Sequence, residues 1–144
     1  MIRFYNAGTE SYRFNGKSIQ PFDPDFGLYI GNSTGNSLIA GVGVRNTFIG
    51  YRAGYNNQNG SNNVFVGSKA GMNEAGSNKL YISNSETSAP LVYGEFDKGL
   101  LTVNDLLKLA PRPAAPAIGE EGMIYYDSTT KKLRYYNGTS WVDL

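Results

Sequence analysis

The chain is 144 residues long, with 18 glycines, 11 tyrosines, no cysteine, no histidine and a formal net charge of +1. The length fits one ordinary domain, and the lack of Cys and His excludes a disulfide framework, Ser-His-Asp and Cys-His catalysis and His-based metal centres. So small a net charge gives no electrostatic case for nucleic acid as a partner, and no apolar run approaches spanning length, so membrane insertion is not expected.

Glycine and asparagine accept positive φ, so a chain rich in both turns often, and aromatic and β-branched residues fill the intervals. The pattern predicts an all-β fold. Met1-Ile2-Arg3-Phe4-Tyr5 opens on a strand-like run with no basic segment leading into an apolar one, so no signal peptide is expected. Residues 1–26 read as an N-terminal hairpin and anchoring arm. Asn15-Gly16 between Tyr12-Arg13-Phe14 and Lys17-Ser18-Ile19 is a hairpin signal, and Pro21 and Pro24 then interrupt regular pairing.

From Gly27 short strands arrive at close intervals, and from Asn46 to Ser83 the sequence repeats itself. Asn46-Thr47-Phe48-Ile49-Gly50, followed by Ala53-Gly54 and Asn56, returns 17 residues later as Asn63-Val64-Phe65-Val66-Gly67 with Ala70-Gly71 and Asn73. A worn third copy, Gly76-Ser77-Asn78-Lys79-Leu80-Tyr81-Ile82, echoes Gly60 to Val66 at an offset of 16. A short apolar strand, a Gly corner, an Ala-Gly and an Asn-rich return is a solenoid-type unit. No such unit buries its own apolar face, and the good copies are too few for a self-sufficient array. The missing core is therefore expected from further copies of the same chain about a shared axis, in a β-helix-like or β-prism-like homotrimeric shaft over residues 27–94. Phe48, Ile49, Phe65, Val66, Leu80 and Ile82 are the expected trimer core, with an ordinary single-chain core as the competing reading.

Residues 95–117 read as a strand pair and a Pro-rich linker. Leu100-Leu101-Thr102-Val103 and Leu106-Leu107-Lys108-Leu109 form a hairpin, or the second becomes a helical turn capped by Asn104 or Asp105; strands are preferred. Pro111-Arg112-Pro113-Ala114-Ala115-Pro116 is a stiff extended segment. Residues 118–144 predict a three-stranded meander with a type I′ corner at Asn137-Gly138. Alternation places Ile124, Tyr126, Leu133, Tyr135 and Trp141, or their neighbours, on one face. Tyr125, Arg134, Tyr136 and Trp141 are candidate contacts for a receptor, because Tyr, Trp and Arg are enriched in binding hot spots. Completion of a small core is the equally weighted alternative.

The Asn-x-Phe-Ile/Val-Gly-x-x-Ala-Gly repeats, with Gly76-Ser77-Asn78-Lys79-Leu80-Tyr81-Ile82 and Pro90-Leu91-Val92-Tyr93-Gly94-Glu95-Phe96-Asp97 after them, resemble the shafts of phage head- and tail-fibre proteins, especially those of Bacteroidetes and their phages. Gly122-Met123-Ile124-Tyr125-Tyr126-Asp127 and Tyr136-Asn137-Gly138-Thr139-Ser140-Trp141-Val142 are similar to a terminal β module on such virion proteins. The resemblance covers roughly residues 27–144 and implies an intertwined homotrimeric β rod with a terminal module. Many relatives continue into a self-cleaving intramolecular chaperone, which this chain is expected to lack; residues 1–26 match no named pattern.

Enzymatic motifs fail in detail. Gly16-Lys17-Ser18 lacks the Gly that a phosphate-binding loop requires at position 11, where Ser11 stands, and Gly41-Val42-Gly43 lacks a third Gly. Asp23 with Asp25, and Glu120 with Glu121, are loop carboxylates rather than a glycosidase pair, and no Ca²⁺-loop spacing is present. No catalytic residue, cofactor or metal is expected. The expectation is a virion fibre protein, assembled in the host cytoplasm. Residues 1–26 would bind a capsid, portal or tail protein, and the tip would meet host-surface glycan or protein. A cap or adaptor of a phage-like contractile injection particle is the alternative, and a capsule depolymerase the remote third.

Overall fold

The repeat stacks on itself with its short strands in parallel register. The computed structural model describes residues 2–6, 9–14, 19–21, 27–39 and 41–144. Among them every regular element is a strand, so the fold is all-β. Contacts divide the chain into two units, Met1–Asp105 and Leu106–Leu144.

In the first unit, β1 (Ile2–Asn6), β2 (Thr9–Phe14) and β3 (Ile19–Pro21) pair antiparallel in that order. Phe14 pairs with Ile19, but the Asn15-Gly16 corner and Pro24 lie outside the described residues. A separate six-stranded sheet follows. β4 (Leu28–Ile30), β5 (Thr47–Ile49), β6 (Val64–Val66) and β7 (Lys79–Ile82) are parallel. β8 (Val92–Glu95) and β9 (Leu100–Val103) close the sheet antiparallel.

Three-residue strands leave one residue to point inward, and here it is always aromatic. Tyr29, Phe48, Phe65, Tyr81 and Tyr93 are register partners in successive strands. The Phe48 and Phe65 rings lie parallel, 3° apart, with centroids 4.5 Å apart, close to the spacing of neighbouring strands. Tyr29 and Tyr81 meet this pair edge-on at 5.5 and 5.3 Å. Ala53 and Ala70 complete the buried cluster.

The corners are built to the same repeat. Gly50 (φ +134°) and Gly67 (φ +114°) turn each strand into its return, and an added Cβ would sit 2.3 Å from the Gly67 carbonyl oxygen and 1.9 Å from that of Ser83. Left-handed non-glycine residues recur in equivalent places: Arg45, Asn62 and Asn78 ahead of the strands, and Ser33, Arg52 and Lys69 after the corners. Each costs about 1–2 kcal/mol locally, a cost accepted only where neighbouring coils fix the backbone.

Buried asparagines replace backbone rungs at the strand entrances. Asn46 Nδ2 donates to the Gly60 carbonyl at 2.8 Å, and its Oδ1 accepts the Asn63 N–H at 2.9 Å. One coil on, Asn63 Nδ2 donates to the Gly76 carbonyl at 2.9 Å and its Oδ1 accepts the Lys79 N–H at 2.8 Å. Both residues are essentially inaccessible. Asparagine in general favours turns; these two are interior struts.

In the second unit, β10 (Ile124–Asp127), β11 (Lys132–Tyr136) and β12 (Trp141–Asp143) form the expected antiparallel meander. Its last corner differs from expectation. Only Gly138 is left-handed there, whereas a type I′ turn needs two such residues, and the Asn137 side chain holds the corner by accepting the Thr139 and Ser140 N–H groups. Residues 106–117 belong to this unit rather than to a free linker. Arg112 bridges Asp127, donating its N–H to Tyr126 O and accepting from Ser128 N, while Thr129 Oγ1 donates to Pro113 O. The contacts thus place the division after Asp105, inside the 95–117 segment and ahead of its Pro-rich part.

Asn63→Ala should leave the part-buried Lys79 N–H unpaired and the Gly76 carbonyl with only a long bond from Asn57, and lower the free energy of unfolding by about 2 kcal/mol, read by urea denaturation. Asn56→Ala, whose bond to Asn73 lies in solvent, should change it by less than about 0.5 kcal/mol. Equal losses from the two would remove the distinction between strut and surface ladder.

Candidate functional site

Period-2 alternation that turns the aromatic column inward turns two apolar columns outward. One is Leu28, Thr47, Val64, Leu80 and Leu101; the other is Ile30, Ile49, Val66, Ile82, Val92 and Val103. Ile30 is 51% exposed, Ile82 40% and Leu101 65%. The strip spans about 24 Å across six strands at sheet spacing, and no charged side chain interrupts these two columns.

The six expected trimer-core residues therefore divide. Ile49, Val66, Leu80 and Ile82 lie on this outward strip. Phe48 and Phe65 do not: each is fully buried within one chain, so neither has surface left to offer a partner. Strand alternation decides this, because a residue flanked by two outward neighbours must point in. For these two residues the single-chain core is the correct reading.

A charged cluster closes the last turn of the sheet. Lys79 stands in the position held by Asn46 and Asn63 in earlier coils, and its Nζ lies 3.5 Å from Glu95 Oε1. Glu95 also pairs with Lys98 and accepts the Tyr93 hydroxyl at 2.7 Å. Hydrogen bonding from Lys98, then from Tyr93, holds the Glu95 carboxyl at about 2, against an ordinary 4.5. Tyr81 donates to Glu74 Oε2 at 2.8 Å, and burial, with that bond second, raises its phenol well above the usual range.

In the second unit the structure brings together all four expected contact residues. The Tyr125 and Trp141 rings are perpendicular at 4.9 Å, and Tyr136 meets Trp141 at 5.2 Å. Arg134 reaches across them, with Nη2 donating to Trp141 O at 2.9 Å and Nε 3.0 Å from Asp143 Oδ1. Asp127 accepts the N–H groups of Thr130 and Thr129, which lowers its pKa, with the Arg134 charge adding to the effect. The cluster is a packed one. Tyr125 is only 4% exposed and is not available as a surface contact; Arg134, Tyr136 and Trp141 remain half-buried.

Trp141 pairs with Tyr136 and packs on Tyr125, opposite the face carrying Ile124, Tyr126, Leu133, Tyr135 and Val142. Its expected placement with Ile124 and Leu133 is thus corrected: the four-residue loop after Tyr136 sets the register of β12 and puts Trp141 on the other face. Ile124, Tyr126 and Leu133 instead line an apolar cleft of about 430 Å³ with Leu107, Leu109 and Pro111. Sequence reading missed this cleft because the Pro-rich segment looked like a spacer.

Among the described residues no group of three or more Asp, Glu, Cys or His side chains is placed to hold a metal ion, and no helix is long and apolar enough to cross a membrane. No family model, no curated protein and no solved structure matches the chain.

The Glu95 carboxyl is held below its unfolded value, so its contribution to stability is present above about pH 4.5 and is lost as pH falls toward about 2. Glu95→Gln should narrow that acid-dependent loss. The stability gap between wild type and variant, followed by denaturation at stepped pH, should be widest above 4.5 and shrink as the pH drops. A gap constant with pH would show that the ion cluster contributes nothing to folding.

Proposed function

We propose that the chain is a structural virion fibre protein whose repeat-built sheet forms the shaft of a homotrimer. Residues 1–26 attach it to a capsid, portal or tail protein, and residues 118–144 serve host-surface attachment. The observation that carries the reading is the outward apolar strip. Six strands turn aliphatic residues or threonine outward in two columns, one of them interrupted at Gly94, while the largest apolar side chains buried in the described part of this unit are Phe48, Phe65 and Tyr81. A core that small needs a further source of stability, and a strip that size on a soluble chain marks an association surface.

Closed rotational symmetry lets identical strips bury one another without leaving one open. The repeat supports a spacer role, because each added coil lengthens the sheet by one strand and changes no chemistry. In this reading the protein is not an enzyme, and its function is mechanical extension and attachment.

Size-exclusion chromatography with light scattering should return three times the 15.7 kDa chain mass at micromolar concentration; the single-chain mass would overturn the trimer. Ile49→Asp with Val66→Asp should give monomers that keep their β-sheet circular dichroism. Phe65→Asp should unfold the chain, since it places an unpaired carboxylate against the Phe48 ring. Antibodies to residues 1–26 and 118–144 on intact particles test the attachment end: accessible 1–26 and hidden 118–144 would reverse it.

A further inference from the structure

The corner of each coil is paired to the corner of the next by two backbone bonds. Gly35 and Ser37 donate their N–H groups to Ala53 O and Tyr55 O at 2.9 and 3.1 Å. Gly54 and Asn56 donate to Ala70 O and Met72 O at 3.0 and 2.9 Å. The equivalent residues of the third coil are Gly71 and Asn73. No fourth corner follows them, because the chain turns back into antiparallel β8 instead of making another coil. Among the described residues neither N–H meets an acceptor.

A cavity of about 370 Å³ lies where that corner would be, lined by Gly71, Asn73, Glu74, Tyr81 and residues 86–88. Its walls mix polar and apolar surface. Glu74 is fixed by bonds from the Gly76 N–H (2.7 Å) and the Tyr81 hydroxyl (2.8 Å). Glu86 Oε1 accepts Asn73 Nδ2 at 2.7 Å, extending the side-chain ladder that begins with Asn56 Nδ2 on Asn73 Oδ1, and Lys69 lies 3.7 Å from Oε2. Thr87 and Ser88 add hydroxyls at the rim.

We propose that this cavity is a binding site for one neutral pyranose ring of a saccharide. Vicinal hydroxyls both donate and accept. They would donate to Glu74 and Glu86 and accept from the Gly71 and Asn73 N–H groups, which restores the interrupted rungs. Tyr81 at the wall is buried, and it serves the site by holding Glu74 in place through its hydroxyl. A polypeptide rung is the other occupant the two N–H groups would suit. The cavity has room for one hexose ring and more, however, and its far wall of Glu86, Thr87 and Ser88 offers a carboxylate and hydroxyls that suit a sugar's hydroxyls better than a guest strand's side chains. Two carboxylates disfavour uronic and sialic acids.

The site is independent of the fibre reading. A monomer that binds sugar would overturn the trimer alone, and a trimer that binds none would overturn the site alone. Saturation-transfer NMR on the full chain tests it, with methyl α-mannopyranoside, methyl β-galactopyranoside, N-acetylglucosamine and glucuronate at millimolar concentration. At least one neutral probe should receive saturation, and glucuronate should receive none. Glu86→Gln keeps an acceptor for Asn73 and should weaken that binding by about tenfold, the equivalent of one charge-assisted hydrogen bond. Ser88→Tyr, a change at an exposed rim position, should abolish it, with unchanged urea midpoints showing both variants folded. Silence from every neutral probe would overturn the proposal, as would binding that survives both substitutions. Binding of the hexapeptide Ser-Lys-Ala-Gly-Met-Asn in place of the sugars would overturn it in favour of a polypeptide rung.

Discussion

Everything in the first unit depends on keeping Phe48 directly over Phe65. Strands of three residues contribute too few backbone bonds to hold a register alone, and a shift of one residue would exchange the inward and outward sets. The rings prevent that shift. Parallel faces at 4.5 Å match the sheet's own spacing, so the aromatic column and the backbone ladder demand the same translation between coils. The asparagine struts impose the translation a second time, since each side chain reaches one coil onward to accept a backbone N–H at the next strand entrance.

That double constraint explains why an outward strip exists. With the middle residue of each strand committed to the interior, its two neighbours must face away, and the sequence fills both positions with aliphatic residues or threonine. A monomeric design would place charge there, as natural sheets do on exposed faces and edges. Charge enters these strands instead in the last copy, in the cluster of Lys79, Glu95 and Lys98 that ends the parallel run. The aliphatic choice at every coil is what a chain selected for burial against itself would retain.

Much of this was legible in the sequence. A repeat of 17 residues announced coils, the Gly after each strand announced the corners, and alternating Tyr and Ile or Leu announced the meander. The direction of the aromatic side chains was not legible, because a three-residue strand has either one inward residue or two, and composition does not choose. Counting the buried volume per coil could have chosen: two bulky inward positions in each coil would not fit against Ala53 and Ala70. The strut role of Asn46 and Asn63 was not legible for a related reason. Asparagine's preference for turns is general, whereas its use as a buried strut shows only once the next coil is in place. Arg112 escaped notice because pairing to an edge strand by a Pro-flanked residue leaves no periodic signal.

Ending such a stack is a different problem on its two sides, and the chain solves only one of them. On the strand side, β8 and β9 turn back and satisfy the edge with antiparallel rungs, and Lys79 exchanges the next asparagine strut for an ion pair. On the corner side, the loop of residues 83–90 passes over without supplying the carbonyls that Gly71 and Asn73 would require, and Glu86 continues only the side-chain ladder. A repeat that makes every coil alike makes its last coil the one place where unpaired donors, fixed carboxylates and open volume coincide. A uniform repeat thereby leaves a recess at its own end. Recognition there needs no catalytic constellation, only that the interrupted rungs be completed by something other than the chain.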